Sequence, residues 1–465
     1  MERSVDVTII GAGTAGLDAV SEVSKITDNF VLINGGALGT TCARVGCMPS
    51  KVLIQVADDF HHRCAFTEEG IGGADGLTAD VGGALSYVRS LRDRFVDGVI
   101  EELILPLKDR FIEGYAEFID PTLLKVENMT IRTKKTIIAT GSRPVIPDKW
   151  KGFKDRILTT DTIFEQTQLP RDMAVVGLGV IGLELGQALS RMGLNVSGFD
   201  LLEHIGGLKD PEVNRVAVEI IGKELPMYLG RPVEIKDHEG RLRVISGSQS
   251  FVVDKVLLSV GRVPNIERLH LERLGVELGK NGLPQFDPLT MQVGNLPVFM
   301  AGDVNHYRPV LHEASHEGLV AGYNAVHTPI IGFQRRTPLM ITFSDPNICI
   351  AGASWASLEK TNPAVGTARF SGGRVKILHS PGGVVRVYAD ASGGRILGAE
   401  MAAPRGEHLA HLLAWSIQQQ LTVFDLLSTP YYHPVLEETL ELALSDLADK
   451  VKGDSNPLRG LRVVH

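Results

Sequence analysis

The chain builds one glycine-rich unit twice, at the same spacing, and few folds accommodate that. The first copy opens with the alternating run Val5-Asp-Val-Thr-Ile-Ile10 and enters Gly11-Ala-Gly13-Thr-Ala-Gly16. A helical pattern from Leu17 to about Ile26 and a strand Phe30-Val-Leu-Ile33 follow. The second copy runs from the strand Met173-Ala-Val-Val176 into Gly177-Leu-Gly179-Val-Ile-Gly182, a helix to about Met192, and the strand Asn195 to Phe199. Gly16 to Asn34 and Gly182 to Asp200 are both 18 positions. A glycine triplet alone also fits an ordinary turn. Between a strand and a helix it has a mechanism. The first glycine permits the tight turn, the second lets the backbone approach a pyrophosphate, and the third lets helix pack on strand. The helix start adds unpaired N–H groups and a partial positive charge. Two such sites on one chain point to electron traffic between two dinucleotide cofactors.

The residue closing each second strand is placed to hold an adenosine ribose. Asp200 suits a ribose diol and would repel a 2′-phosphate, and no Arg occurs among the next eight residues to clamp one. NAD(H) is therefore expected over NADP(H) at the second site. Asn34 occupies the same place in the first unit, where its amide can accept one hydrogen bond without the usual charge.

Just after the first unit comes Gly39-Thr-Thr-Cys42-Ala-Arg-Val-Gly-Cys47-Met-Pro-Ser-Lys51. A staple more often joins distant parts of a chain, because closing a longer loop stabilises more. Cys42 and Cys47 would close almost nothing, so the pair reads as a disulfide made and broken in turnover. Taken alone, the two cysteines favour redox only weakly over a pair of buried core residues. The chain has only four cysteines, the others being Cys64 and Cys349. That is too few for an extracellular disulfide framework. No second Cys/His pair completes a zinc tetrahedron, so no metal site is expected. A net charge of −8 argues against nucleic acid or an anionic membrane as partner. No signal-peptide pattern and no apolar run of ~20 residues is present. The expected location is cytoplasmic, with no membrane association.

The length of 465 residues suits about three domains. A helical region from Leu53 to about Arg110 and short strands to about Thr140 separate the two units. The runs Lys135 to Pro144 and Lys255 to Pro264 each read as a buried strand ending in a turn. Leu296 to Asp303 is an apolar strand ending in Gly-Asp. After about Arg336 strands and helices continue without a glycine fingerprint.

Over essentially its whole length the chain resembles the disulfide reductases that use FAD and a pyridine nucleotide. The landmarks are Gly11-x-Gly-x-x-Gly16, Cys42-x4-Cys47-x-Pro-Ser-Lys51, Ala139-Thr-Gly141, Gly177-x-Gly-x-x-Gly182-x-Glu184, Ala301-Gly-Asp303 and His433-Pro-x-x-Glu-Glu438. Within that family it is most similar to the dihydrolipoamide dehydrogenases. The resemblance implies an α/β fold of two Rossmann-like domains, for FAD and NAD, with a C-terminal α+β dimerisation domain. The expected division is 1–145 and 271–336 for the FAD and central parts, 146–270 for NAD, and 337–465 for the interface.

The resemblance also implies roles. Cys47 lies against the flavin as the charge-transfer thiolate, and Cys42 exchanges with the substrate sulfur. His433, oriented by Glu438 and supplied by the other subunit of a homodimer, takes the proton that thiol–disulfide exchange releases. Lys51 and Glu184 pair near the flavin N5, where a cation favours negative charge on the reduced ring. Asp303 accepts from the ribityl chain, Thr140, Gly141 and Gly261 line the dinucleotides, and His312 and Glu313 have a supporting place at a helix start. Read without the resemblance, His433 before Pro434 fits a loop histidine equally well, whereas a merely solvated Lys51 is disfavoured by its place after Cys47-Met-Pro-Ser.

The chain departs from the usual pattern at Tyr431-Tyr432, where His-Ala is common, and at Val435, where Thr is common. These changes suggest a divergent branch serving a particular lipoyl-bearing carrier protein. Another reading is a reductase of a small disulfide such as glutathione, which Asp200 disfavours. Mercuric reductase and the large thioredoxin reductases are disfavoured because Asn456 to His465 holds no cysteine pair. From a different class, a redox-inactive flavin-binding scaffold would lack the complete Cys-Cys and His-Glu sets.

Overall fold

The computed structural model describes residues 2–452 and 460–461. Of the segment Asn456 to His465, only Gly460 and Leu461 fall among them; the rest of that segment lies outside the described residues.

Apolar residues on strand Glu2–Ile10, among them Val7 and Ile9, pack with Phe30, Leu32, Ile137 and Phe299 into a buried core. The strand runs parallel to Phe30–Asn34 on one side and to Met129–Ile138 on the other. Strand Met129–Ile138 is long enough to change partners. Its first half pairs antiparallel with Leu123–Val126, and its second half pairs parallel with Val298–Met300. The chain thus returns to its first sheet some 160 residues after leaving it. The helix after the first glycine loop, Thr14–Val23, lies against the later helix Leu311–Val326. Their approach is set by Gly318 and Gly322, where a Cβ would come 2.3 Å from Ala15 O and 2.8 Å from Ala19 O.

The sequence pattern places this first helix from Leu17 to about Ile26. It starts earlier, at Thr14, directly after the Gly13 cap, and ends at Val23. Its first residues follow from the glycine loop and leave no apolar periodicity to read. The long helical region resolves into helices Cys47–His61, Arg63–Phe66 and Val81–Val99, interrupted around Gly70, Gly72 and Gly73.

The second unit repeats the geometry of the first in a five-stranded parallel sheet. Asp172–Val176 pairs with Asn195–Phe199 and with Lys255–Leu258. The equivalence reaches single bonds. Gly11 N–H donates to Ile33 O and Gly177 N–H to Phe199 O, both at 2.8 Å. The last part of the chain forms an antiparallel sheet of five strands between Leu339 and Ala403, covered by helices Gly406–Gln418 and Glu437–Ala448. The architecture is α/β with an α+β C-terminal unit. Among the described residues no helix is long and apolar enough to cross a membrane.

Candidate redox site

Thr40 starts the site by capping a short helix, Thr41–Val45, through a bond from Ala43 N–H to its Oγ1 at 3.2 Å. Gly46 then breaks the path, and a 15-residue helix begins at Cys47. Cys42 therefore rides on one helix and Cys47 is the first residue of the next. Both are half-buried free thiols. Pro49 is tolerated in the first turn because its missing N–H would have had no intrahelical partner.

This placement separates the two thiols chemically. A hydrogen bond from Cys42 draws the Cys47 pKa down to about 7, against the opposing effect of burial, and the nearby Lys51 ammonium helps. The bond to Cys47 and burial push Cys42 well above the ordinary thiol range. A helix N-terminus favours the thiolate further. One sulfur is thus ready to carry charge and its neighbour is a proton donor.

One turn along the same helix, Lys51 Nζ contacts both oxygens of the buried Glu184, at 2.9 and 2.8 Å. Glu184 Oε1 also accepts from Phe343 N–H at 2.9 Å, and Lys51 stands over the Phe343 ring at 4.6 Å. Elements from all three parts of the chain meet at this pair. Sequence reasoning missed Phe343, whose contribution is a backbone N–H and leaves no side-chain signature.

Both glycine loops are shaped for a dinucleotide. Gly11 and Gly177 have φ of +109° and +93°, and a Cβ there would come 2.3 Å from Ala139 O and 2.4 Å from Ser259 O. A Cβ on Gly16 or Gly182 would sit within 2 Å of the preceding loop carbonyl. At Gly13 nothing lies nearer than 4.0 Å, and at Gly179 nothing lies within 4 Å, so the middle glycines leave open space where a pyrophosphate would approach. Asn34 and Asp200 act alike: Ala12 N–H donates to Asn34 Oδ1 at 3.1 Å and Leu178 N–H to Asp200 Oδ2 at 2.5 Å. The side chains at Asn34 and Asp200 therefore brace the glycine turns. The residues present fit FAD in the first cradle and a pyridine nucleotide in the second.

Thr140 is tied to Asn265 by two bonds, Thr140 Oγ1 donating to Asn265 O and Asn265 Nδ2 donating to Thr140 O. Gly141 and Gly261 are in the left-handed region on the adjoining turns. Asp303 accepts from Ser142 Oγ at 2.7 Å, and Arg262 donates to Ser142 Oγ at 2.8 Å. Ser142, Arg262 and Asn265 were not read from the sequence. Their positions beside the Gly141 and Gly261 turns were the available signal.

His433 and Glu438 come together: His433 Nδ1 and Glu438 Oε1 are 2.7 Å apart, and Val435 N–H holds the other carboxylate oxygen at 2.9 Å. The His433 side chain is 79% exposed, and within the chain it bonds Glu438 and neither cysteine. Tyr432 beside it is also exposed, while Tyr431 is half-buried. His312 is exposed in the first turn of its helix, and Glu313 is buried between Arg308 and Arg335.

Residues 5–318 match the family described as pyridine nucleotide-disulphide oxidoreductase, and residues 339–444 match its dimerisation domain. The chain belongs to this family. Members of the family use FAD and NAD(P)H, and the dimerisation domain supports a homodimer. Among relatives of this oxidoreductase is the dihydrolipoyl dehydrogenase of Halobacterium salinarum, 30% identical, with 95% of this chain and 96% of the relative covered. The mercuric reductase of Staphylococcus aureus is 27% identical, with 94% and 81% covered. In fold the chain is similar to LpdA from Mycobacterium tuberculosis: the TM-score is 0.81 at 22% identity, with 95% of this chain and all of that one covered.

Proposed function

We propose that this flavoprotein oxidoreductase is a dihydrolipoamide dehydrogenase, moving an electron pair between dihydrolipoyl groups on a carrier protein and NAD+. The observation that carries this reading is the placement of the dithiol: half-buried Cys42 and Cys47 sit on consecutive helices, Cys47 at a helix start one turn from the Lys51–Glu184 pair. The Cys42 bond and the Lys51 ammonium draw Cys47 toward the thiolate while Cys42 keeps its proton. In the oxidised enzyme a dihydrolipoyl thiolate attacks Cys42 Sγ, and the Cys42–Cys47 bond breaks with Cys47 leaving as thiolate. A low-pKa thiol leaves fastest. The second substrate thiol then attacks the substrate sulfur of the mixed disulfide. The cyclic disulfide forms and Cys42 is released as a thiol. The partner subunit's His433, held by that subunit's Glu438, takes the two substrate protons in turn and passes one to Cys42. FAD bound in the first cradle supplies two-electron storage between the dithiol and NAD+. Lys51, fixed by Glu184, places positive charge beside Cys47 and the flavin site.

Asp200 supports NAD over NADP, since a carboxylate repels a 2′-phosphate. The division 1–145, 146–270, 271–336 and 337–465 assigns the two cradles to separate domains and His433 to the interface domain. A cytoplasmic location accords with thiols that cycle.

The test is a steady-state comparison of NADH and NADPH against lipoamide, lipoylated carrier domains, oxidised glutathione and Hg(II). The expected result is a kcat/KM for NADH with lipoyl substrates at least ~10-fold above every other combination, a difference of about 1.4 kcal/mol in transition-state binding. A higher value with glutathione or Hg(II) would replace the lipoyl assignment, and one with NADPH would remove the cofactor assignment.

A further inference from the structure

The helix that starts at Cys47 and the helix Val180–Arg191 lie side by side, joined at two levels. Lys51 pairs with Glu184, and Asp58 pairs with Arg191 at 2.6 Å. Both steps are seven residues in the same direction, so the helices run parallel, and the second junction lies about 10.5 Å beyond the first at 1.5 Å per residue. Lys51 and Glu184 are each the fifth residue of their helix, and Asp58 and Arg191 each the twelfth. The two N-termini are therefore level. One carries Cys47 and the other follows the second glycine loop.

Arg191 is buried, its side chain 4% exposed, and its guanidinium is shared among three carboxylates. Besides Asp58 it bonds Glu224 twice, at 2.6 and 2.9 Å, and Asp345 at 2.9 Å. Asp345 belongs to the turn that carries Phe343, whose N–H holds Glu184. Between them Gln187 exchanges two bonds with the Asp345 backbone. Glu184, Gln187 and Arg191 form one stripe on their helix, and residues 343–345 of the C-terminal unit cross it. A bidentate guanidinium is geometrically demanding, which a lysine is not.

We propose that Arg191 and Asp58 are positioning residues that hold the Cys47 helix in register with its neighbour, and so keep the Lys51 ammonium within range of the Cys47 sulfur. The proposal rests on Cys42 and Cys47 being the working dithiol. The charged groups facing Cys47 are Cys42 on the preceding helix, Lys51 on its own and Glu184 on the adjacent one, with Lys51 acting more strongly than Glu184. Those facing Asp58 are Arg191, Asp345, His61 and His62.

Asp58→Ala separates positioning from simple charge. Removing a carboxylate more than a helical turn away would, by charge alone, make the Cys47 thiolate easier to form. Loss of register lets Lys51 retreat and makes it harder. The measurement is the pH dependence of Cys47 alkylation by iodoacetamide on the reduced holoenzyme, in a Cys64→Ser background because Cys64 is exposed, with the Cys47 peptide followed by mass spectrometry. The expected result is a midpoint raised by about 0.5–1 unit in Asp58→Ala, with Asp58→Glu restoring the wild-type midpoint. An unchanged or lowered midpoint in folded Asp58→Ala overturns the proposal. Should that variant not fold, Arg191→Lys keeps the charge and loses the fork. It is expected to raise the midpoint, and no shift there overturns the proposal equally. The readout involves no lipoyl substrate, so failure of the substrate assignment leaves it standing. A wild-type Cys47 titrating near 9 would instead refute the dithiol reading itself.

Discussion

Replacing Cys42 by Ala removes the hydrogen bond that does most to stabilise the Cys47 thiolate. The wild-type Cys47 sits near 7, against an ordinary 9.0. That shift of about 2 units favours the charged form by a few kcal/mol, on the order of 1.4 kcal/mol per unit. Burial works against it, while Lys51 and backbone N–H groups add smaller favourable contributions. With the Cys42 bond gone and the others intact, the midpoint is expected to rise by about 1 unit. The thiolate fraction at pH 7 then falls from about one half to about one tenth.

A single-pH rate would understate this. Intrinsic thiolate nucleophilicity rises with pKa at a Brønsted slope of about 0.4–0.5, so the high-pH plateau should climb about threefold and the net loss at pH 7 be only about twofold. The informative quantity is the midpoint of the full iodoacetamide profile, taken on reduced protein with Cys64 replaced by Ser. Cys42→Ser retains an O–H donor and is expected to lie between wild type and Cys42→Ala. A Cys42→Ala midpoint within about 0.2 unit of wild type would refute the argument, because the Cys42 bond would then contribute almost nothing to a shift it should dominate.

His433→Gln is expected to slow the thiol–disulfide step by ~10²–10⁴-fold. Mixing His433→Gln chains with Cys42→Ser chains should restore activity through heterodimers that contain one intact site, and no recovery despite subunit exchange would place thiol and base in the same chain. Asp210 is fully buried, caps helix Pro211–Ile221, and accepts from Arg386 and Tyr388 of the C-terminal sheet. Asp210→Ala leaves Arg386 without that partner and should cost about 3–5 kcal/mol, so an unchanged denaturation midpoint would count against it. Burial lowers the pKa of His61, among Arg191, Glu224, Asp345 and Asp58, and of His316, among Arg336, Arg335, Glu313 and His312. The unfolded chain then binds these protons first, so the stability they contribute is present above about pH 6.5 and lost as pH falls below it. A Tm constant between pH 7.5 and 5.5 would contradict this.

What was legible in the sequence is what local chemistry dictates. Gly11 and Gly177 stand where a Cβ would strike the carbonyl just past the neighbouring parallel strand, so no other residue serves and the motif survives in plain view. Cys42 and Cys47 are close in sequence and need no fold to bring them together. Lys51 and Glu184 are 133 positions apart, and only the family pattern joined them. The Asp58–Arg191 junction is equally remote. Its one sequence trace is a seven-residue offset repeated on two helices, which becomes meaningful once those helices are known to be neighbours. Phe343 acts through its backbone N–H, where residue type carries little information, and Asp345 makes backbone bonds to Gln187 besides its carboxylate bond with Arg191. The start of the first helix at Thr14 was misplaced for a related reason: the glycine loop, not apolar periodicity, sets it.

If Cys42 and Cys47 are the working dithiol, as proposed, the short span between them ties stability to turnover. In a chain-entropy account, a disulfide closing a six-residue loop contributes only about 2 kcal/mol, against nearly 5 for a loop of about 100. Reducing this pair therefore withdraws little from the fold. The frame around it is held by groups that do not change with redox state: the Thr40 cap, the pair of Lys51 with the buried Glu184, and the Arg191 cluster. A structural disulfide at the same place would have to be part of that frame, and each catalytic cycle would loosen it. Here the restraint lies in ion pairs one and three turns down the helix, so Cys42 and Cys47 can exchange bonds while the helices that present them stay in place.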